Sequence, residues 1–540
     1  MEKRLLLAAA LSLGVLLLWE WIIPKPPRPV PVSTPVPAAA TPVSAAAVPA
    51  APSAAPVDAP ASASAATVTT LSNGIIEAAV SNRGAVLESL VLKQHFDDQK
   101  KPLELVRALP AELPRPLGLD FGKDKELTRR VADALFVVER ESDRVLRFHY
   151  ADPTVSVTKE IRLMAGYLFD VKVTVAGPPY SLLVGPGLRN PTQVERTSRY
   201  VMPGSAVALT VDGLKIVGPD KAAAAQEWSL PIRGFAGIED NYFLEVLAPK
   251  TPATARVLSF SIPRPEGKPA VEIATAVAAQ GTLECVAFFG PKDIAVLKST
   301  GLGLEKTVDF GWFGILAPPL LFLLKKAYGW VGNWGLAILV VTFLVRAALF
   351  PLTAKSYLSM KKMQKLTPKM NAIRDKYKKA KTDSAQRQKM NTELMALYQS
   401  EGHNPMSGCL PVLLQLPILF AFYNVLSRTI ELRHAPFFLW IRDLSAIDGS
   451  YVLVILMTVS MYVQQAMTPA AMDPAQKKVF MFMPIMMGFF MKDMPSGLAL
   501  YWLFSNLLTI LQQLAMSRLV KEDPAPPSGK GTKAFKQARA

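Results

Sequence analysis

Cysteine is almost missing from this chain: Cys285 and Cys409 are the two residues of that type in 540. The topology argued below puts them on opposite sides of a membrane, so no disulfide framework is expected. Histidine is scarce as well, and His95, His149, His403 and His434 lack metal-ligand spacing. There is no Walker A loop, no His-Glu-x-x-His and no Gly-x-Ser-x-Gly. These absences give no support to nucleotide hydrolysis, zinc chemistry or serine-type catalysis. No cofactor, metal ligand or catalytic residue is assigned, and the chain is not read as an enzyme. Negative charge is also short, with 43 acidic against 60 basic residues and a net charge of +17. That excess points to anionic lipid head groups or nucleic acid as neighbours. Residues 24–66 nearly lack charge of either sign and have no apolar periodicity. Their Pro, Ala, Val, Ser and Thr content predicts a disordered or polyproline-like tether.

What is present is apolar sequence, half of all residues, gathered into long runs. Residues 1–23 begin Met1-Glu-Lys-Arg and continue from Leu5 to Ile23, with Trp19 and Trp21 suited to a membrane interface. No small-residue cleavage site follows directly, so the segment is read as an uncleaved anchor. Five further runs, at about 336–353, 409–430, 450–467, 478–492 and 496–518, are expected to span. Six spans put both termini in the cytoplasm. Charge agrees independently: the segment 355–405 and the tail 519–540 are both strongly basic, as the positive-inside rule requires of cytoplasmic regions.

Between 67 and 305 the apolar period becomes two. Phe169, Val171, Val173 and Val175 face one way, with Asp170, Lys172 and Thr174 opposite. Leu146, Phe148 and Tyr150 alternate with Arg147 and His149, and Val155, Val157, Ile161 and Leu163 belong to a neighbouring strand. Short strands with such punctuation predict an antiparallel sandwich. Its histidines and scattered acids read as surface or satisfied core groups. Residues 306–335, with Pro318-Pro319 and Lys325-Lys326, are expected to form an amphipathic helix in the outer interface. The fold class expected is thus a polytopic α-helical membrane protein of six spans, five of them a core, with a soluble all-β sandwich outside.

Arg346 is the sharpest single feature. It lies about ten residues into the run that starts at Leu336, roughly 15 Å deep. A guanidinium there costs about 2.5–3.5 kcal/mol on insertion scales and cannot shed its charge. No Asp or Glu lies within the core of the five spans; Glu431 and Asp493 sit at edges. Thr342 and Thr353 fall near the same helical face. In the last span Ser505, Asn506, Thr509, Gln512 and Gln513 make a second polar stripe, with Trp502 extending it, and Gln415 and Asn424 lie in the span 409–430. Two polar faces on separate helices can line a wet groove. The segment 355–405 is expected to be a helical hairpin. Its first arm carries Met363, Leu366, Met370, Ile373 and Tyr377, Pro368 weakens that arm, and the turn lies near 381–384. Methionines crowd the fifth span, from Met467 to Met494.

Gly332-Asn-Trp-Gly335, Thr342-Phe-Leu-Val-Arg-Ala-Ala-Leu-Phe-Pro-Leu-Thr353, Asn404-Pro-Met-Ser-Gly-Cys-Leu-Pro411, Gln415-Leu-Pro-Ile418, Trp440-Ile-Arg-Asp-Leu444, Met483-Pro484 and Pro495-Ser-Gly-Leu-Ala-Leu-Tyr-Trp502 together resemble the YidC-type membrane insertase family. The tether and outer β domain match the arrangement of its Gram-negative members. The resemblance implies a five-helix core around a hydrophilic groove, open to cytoplasm and lipid and closed outside. It implies Arg346 as the groove cation and Thr342 as its polar neighbour, while Gln415, Asn424, Trp502, Ser505, Asn506 and Thr509 are groove candidates by their place on the polar faces. It implies nascent membrane proteins as clients, a substrate-receiving hairpin, a tail that meets ribosomes, and cooperation with the Sec translocon and its accessory proteins in a bacterial inner membrane. Relatives often have tyrosine where this chain has Trp502, so a hydroxyl contact is not carried over to that position. The alternative class is a secondary transporter or channel with Arg346 as an anion site; five core spans supply no evident inverted repeat for it. A membrane-bound enzyme acting through the β domain lacks any supporting motif.

Overall fold

The computed structural model describes residues 62–190, 192, 195, 204–224, 228–263, 269–311, 314–377, 383–401, 410–468 and 474–519. The anchor 1–23, most of the tether, the tail beyond Leu519, Cys409 and His403 lie outside them. The main body comprises Pro56–Ala471 and Pro484–Ala540, and residues 472–483 belong to a second unit.

Along the chain the first elements are β1 (Val68–Ser72), β2 (Ile76–Ser81), β3 (Val86–Phe96), β4 (Pro102–Glu104), β5 (Leu119–Asp120), α1 (Lys125–Asp133), β6 (Val137–Ser142), β7 (Val145–Ala151), β8 (Ser156–Leu163) and β9 (Leu168–Ala176). There follow β10 (Tyr180–Val184), β11 (Ser205–Thr210), β12 (Gly213–Val217), α2 (Pro219–Ala224), β13 (Trp228–Ile232), β14 (Ala236–Glu239), β15 (Phe243–Pro249), β16 (Ala253–Ile262), β17 (Ala270–Ala279) and β18 (Thr282–Pro291). They form a four-stranded sheet β1-β2-β3-β4, a five-stranded sheet β13-β16-β17-β10-β5 and a nine-stranded sheet β12-β11-β14-β15-β18-β9-β8-β7-β6. Neighbouring strands are antiparallel throughout, for example β8 with β9 in the register Val157↔Val175 and Ile161↔Val171.

The period-two reading corresponds to burial: Phe169, Val171, Val173 and Val175 are all inside, with Leu146, Phe148, Val157 and Ile161 in the same core. Apolar burial of about 25 cal/mol per Å2 is the main force holding that core. Close approach is forced at Gly237 in β14, where an added Cβ would lie 1.9 Å from the Glu245 carbonyl oxygen of β15. The five- and nine-stranded sheets face one another, and Thr275 Oγ1 of β17 donates to the Gly237 carbonyl of β14 at 2.8 Å.

The helical part contains α3 (Ile294–Ser299), α4 (Ala317–Val331), α5 (Trp334–Lys365), α6 (Thr367–Lys376), α7 (Ser384–Ser400), α8 (Leu410–Arg428), α9 (Val452–Met467), α10 (Pro474–Met491) and α11 (Ser496–Leu519). Pro318 and Pro319 occupy the first turn of α4, where a missing N–H costs nothing. They start the helix and do not interrupt it. Gly332, at φ 64°, turns the chain, and the Asn333 side chain accepts from Leu336 N to cap α5.

Two expectations meet the structure in part. The first core span is expected at 336–353 and the hairpin at 355–405; one helix, α5, runs unbroken from the first into the second, through Pro351 and Lys355 to Lys365. The residues after Pro351, including Ala354, Met360, Lys361, Lys362 and Gln364, are good helix formers and continue the helix. The first arm is therefore divided, with the break at Leu366 and Pro368 in the first turn of α6. Helices α6 and α7 then run antiparallel, joined by Lys369–Glu401 at 2.6 Å and Lys376–Glu393 at 3.0 Å. The second expectation concerns spans. Among the described residues, α5 and α11 are long and apolar enough to cross a bilayer, while α9 and the stretch Lys478–Met491 are shorter apolar helices. A count of six is not established by helix length and composition.

Candidate functional site: an arginine on a seam of parallel helices

The polar side chains of α5 and α11 meet in register. Arg346 donates to Ser505 Oγ from Nε at 2.9 Å and again from Nη2. Seven residues on, Gln512 Nε2 donates to Thr353 Oγ1 at 2.8 Å. Both pairs are 159 residues apart in sequence, so the two helices run parallel. A second pair of contacts joins α11 to α9: Asn506 Nδ2 to Ser460 Oγ and Gln513 Nε2 to Thr468 Oγ1, each at 3.0 Å. The partners advance together again, so α9 is parallel to both.

Helix α8 is opposite in sense. Its C-terminal end meets the β domain, where Asn241 Nδ2 donates to the Ser427 carbonyl at 3.3 Å. At that end also lie the N-terminal ends of α5 and α11, through Asn333 Nδ2 to the Pro436 carbonyl and Ser496 N to the Ala446 carbonyl. Helices α5, α9 and α11 thus share one direction and α8 runs against them.

Around Arg346 the site is built from few groups. The side chain is half-buried and has no ion-pair partner among the described residues. Two of its five N–H donors share the Ser505 hydroxyl, and the rest have no acceptor among the described residues. Ser505 is 2 % exposed. One turn earlier Tyr501, equally buried, stacks on Phe422 at 4.0 Å between ring centroids. Its hydroxyl accepts from Gln415 Nε2 at 2.5 Å. Arg346, Ser505, Tyr501 and Gln415 thus bring α5, α11 and α8 together at one level. A cation held by a single neutral acceptor keeps its capacity to bind an incoming anion.

The other candidates are used differently. Thr342 is buried and turns its Oγ1 to the Ile338 carbonyl of its own helix at 2.6 Å. Thr509 does the same to the Ser505 carbonyl. Asn506 is spent on α9. Asn424 lies nine residues from Gln415, about 13 Å along the axis, close to Gly311. Trp502 is partly buried against the helical core. Tyr501 is the residue that sequence reasoning missed. Its signal was available: it stands one turn before Ser505, and a phenol in an apolar run needs a partner.

A β-sandwich joined to a bundle of apolar helices, with a guanidinium on the helical seam, defines an integral membrane protein carrying a soluble domain. Residues 326–523 match the family model described as 60Kd inner membrane protein, and residues 68–323 match the model of the YidC periplasmic domain. The chain belongs to the YidC family of membrane protein insertases, which are not enzymes. It is 34 % identical over 562 residues to the membrane protein insertase YidC of Syntrophus aciditrophicus (strain SB), covering 96 % of this chain and 100 % of the relative. It is 36 % identical over 557 residues to that of Citrifermentans bemidjiense, covering 97 % and 100 %. Among solved structures it is similar to the active YidC insertase with the first transmembrane domain resolved, at 17 % identity, a TM-score of 0.37, and coverage of 87 % of this chain and 96 % of that one.

Proposed function

We propose that this protein inserts nascent membrane proteins into the bacterial inner membrane and assists their folding, through a hydrophilic groove centred on Arg346. The observation that carries the reading is the arginine itself: charged, half-buried in an apolar helix, and held by Ser505 without a carboxylate partner among the described residues. A client with a short acidic outer tail enters the groove. Arg346 attracts the tail and lowers part of the desolvation cost of its passage. The apolar segment then leaves sideways into lipid, where burial of about 25 cal/mol per Å2 drives the transfer. The membrane potential adds to it, at about 2.3 kcal/mol per charge per 100 mV.

In this reading there are six spans with both termini cytoplasmic, residues 1–23 are the anchor, and 67–305 lie in the periplasm. The hairpin formed by the end of α5 with α6 and α7 receives the client. The basic tail 519–540 meets the ribosome and anionic lipids, and the Sec translocon serves some clients. Thr342, Asn424, Trp502, Asn506 and Thr509 shape the groove walls around the Arg346–Ser505 pair. The support is the basic charge of both regions and the parallel directions of α5, α9 and α11.

The test is insertion of a small acidic-tailed membrane protein into liposomes holding only the purified chain or Arg346→Ala. Insertion above empty liposomes, with a loss of about tenfold in the variant (about 1.4 kcal/mol), is expected. Equal insertion by the variant would keep the activity and remove the role of Arg346. No insertion by folded wild-type protein would overturn autonomous action.

A further inference from the structure

The loop between α8 and α9 carries a second arginine with open donors, far in the chain from the seam. Arg433 follows a 3-10 turn at Ile430–Leu432, and its side chain is 5 % exposed. The guanidinium lies over the Phe243 ring at 5.6 Å, and Nη1 donates to the Phe96 carbonyl at 2.7 Å. Its Nε and Nη2 are buried and have no hydrogen-bond partner among the described residues. The nearest carboxylate, Glu195, stands 3.8 Å from Nε, beyond hydrogen-bond reach, and already accepts from Arg189 at 2.7 and 2.9 Å. His434 Nδ1 pairs with Asp443 at 3.1 Å, while its Nε2 is buried without a hydrogen-bond partner.

Arg433 and His434 are among the residues lining one cavity of about 910 Å3 between β3, the β15 end of the sandwich and the loop 433–447, with the three buried nitrogens behind its wall. Leaving a buried donor unsatisfied costs about 1–3 kcal/mol, and more for a charged group. Nε and Nη2 form one edge of a guanidinium, two parallel donors that match two oxygens of a phosphate. The cavity wall also carries Asp97, Asp98, Glu195 and Asp443 against Lys100 and Arg442, with Asp98 3.8 Å from the imidazole Nε2. A ligand with a phosphate next to an ammonium meets both sets of groups. A bare anion meets the acids unfavourably.

The same loop supplies the second argument. Phe438, Leu439 and Trp440 at its tip are 52 %, 87 % and 40 % exposed. Aromatic and leucine side chains exposed together at the mouths of apolar helices suit the boundary between head groups and acyl chains. Seated there, the tip puts the cavity at head-group level.

We propose that this cavity binds the zwitterionic phosphoethanolamine head group of a phospholipid, with the phosphate on the Nε/Nη2 edge of Arg433 and the ammonium on Asp98 and Asp97. The site is separate from the groove, and it requires of the reading above only that α5, α9 and α11 meet a bilayer near this loop. Native mass spectrometry of the full-length protein, with phosphatidylethanolamine, phosphatidylglycerol or inorganic phosphate added, tests it. Phosphatidylethanolamine should be retained about tenfold better than phosphatidylglycerol, and inorganic phosphate should not displace it. Arg433→Lys keeps the charge and loses the edge, and should abolish the preference. Asp98→Asn alters a half-exposed carboxylate, leaves the buried packing intact, and should weaken phosphatidylethanolamine alone. Equal retention of both lipids by the wild type, unchanged selectivity in Asp98→Asn, or displacement by inorganic phosphate would overturn the proposal. Loss of client insertion bears on the groove and not on this site, so the two can fail separately.

Discussion

Lys159, in β8, is fully buried. Its ammonium donates to the carbonyl oxygens of Ala85 and Leu117 at 2.7 and 2.6 Å, with Gly84 at 3.4 Å. Burial pushes its pKa down to about 7 from the usual 10.5. Between those values the unfolded chain binds more protons than the folded one, so stability rises with pH from about 7 towards 10.5. Thermal unfolding of the β domain in the full chain should show that slope, and Lys159→Met should lack it. The same variant leaves three carbonyls without a donor and should lose about 3 kcal/mol near neutral pH. On the helical side Tyr501→Phe removes the acceptor for Gln415 and should cost about 1 kcal/mol, less than the loss of the Arg346 contact. Arg346 and Ser505 were legible in the sequence because a charge or a hydroxyl in an apolar run stands out. Tyr501 gave a weaker signal, since its ring reads as apolar and the partner of its hydroxyl, Gln415, is evident only when α8 is placed beside it.

For the helices, spacing was legible and pairing was not. The seven-residue interval between Arg346 and Thr353, and between Ser505 and Gln512, is visible in sequence. That the two intervals dock on each other, in parallel, needed the structure. Thr353→Cys with Gln512→Cys should cross-link on oxidation, whereas Thr353→Cys with Ser505→Cys, two turns out of register, should not; the reverse result would refute the register. Helix contact also depends on one small residue. A Cβ at Gly488 of α10 would lie 2.1 Å from Thr458 Oγ1 of α9. Gly488→Leu should therefore separate these helices and cost about 1–3 kcal/mol, read as a lower unfolding midpoint in detergent. Lys355 reads in sequence as a membrane edge, which leaves the length of α5 itself illegible. In the fold the helix carries both Pro351 and Lys355, since one proline removes a single N–H donor and good helix formers follow.

Across the whole molecule, the sandwich was legible from period-two burial. Its division into three sheets was not, because partners such as β5 and β10 are far apart in sequence. The junction between the sandwich and the helices is acid-sensitive. Burial first, and then the charge of Arg433, push His95 down to about 4, so it is neutral in the folded state at ordinary pH. Between about 6.5 and 4 the unfolded chain takes up the proton first, and stability falls as pH drops through that window. Limited proteolysis at stepped pH should detect the loosening there, and His95→Phe should remove this part of the response. The unbroken course of α5 has a mechanical consequence. Thirty-two residues at 1.5 Å each make a rod of about 48 Å, with Arg346 near its middle and the hairpin at its tip. A tilt of about five degrees moves that tip by about 4 Å, so the rod is a lever whose far arm lies beyond Pro351. Whatever docks on the hairpin pulls on the same beam that carries the arginine.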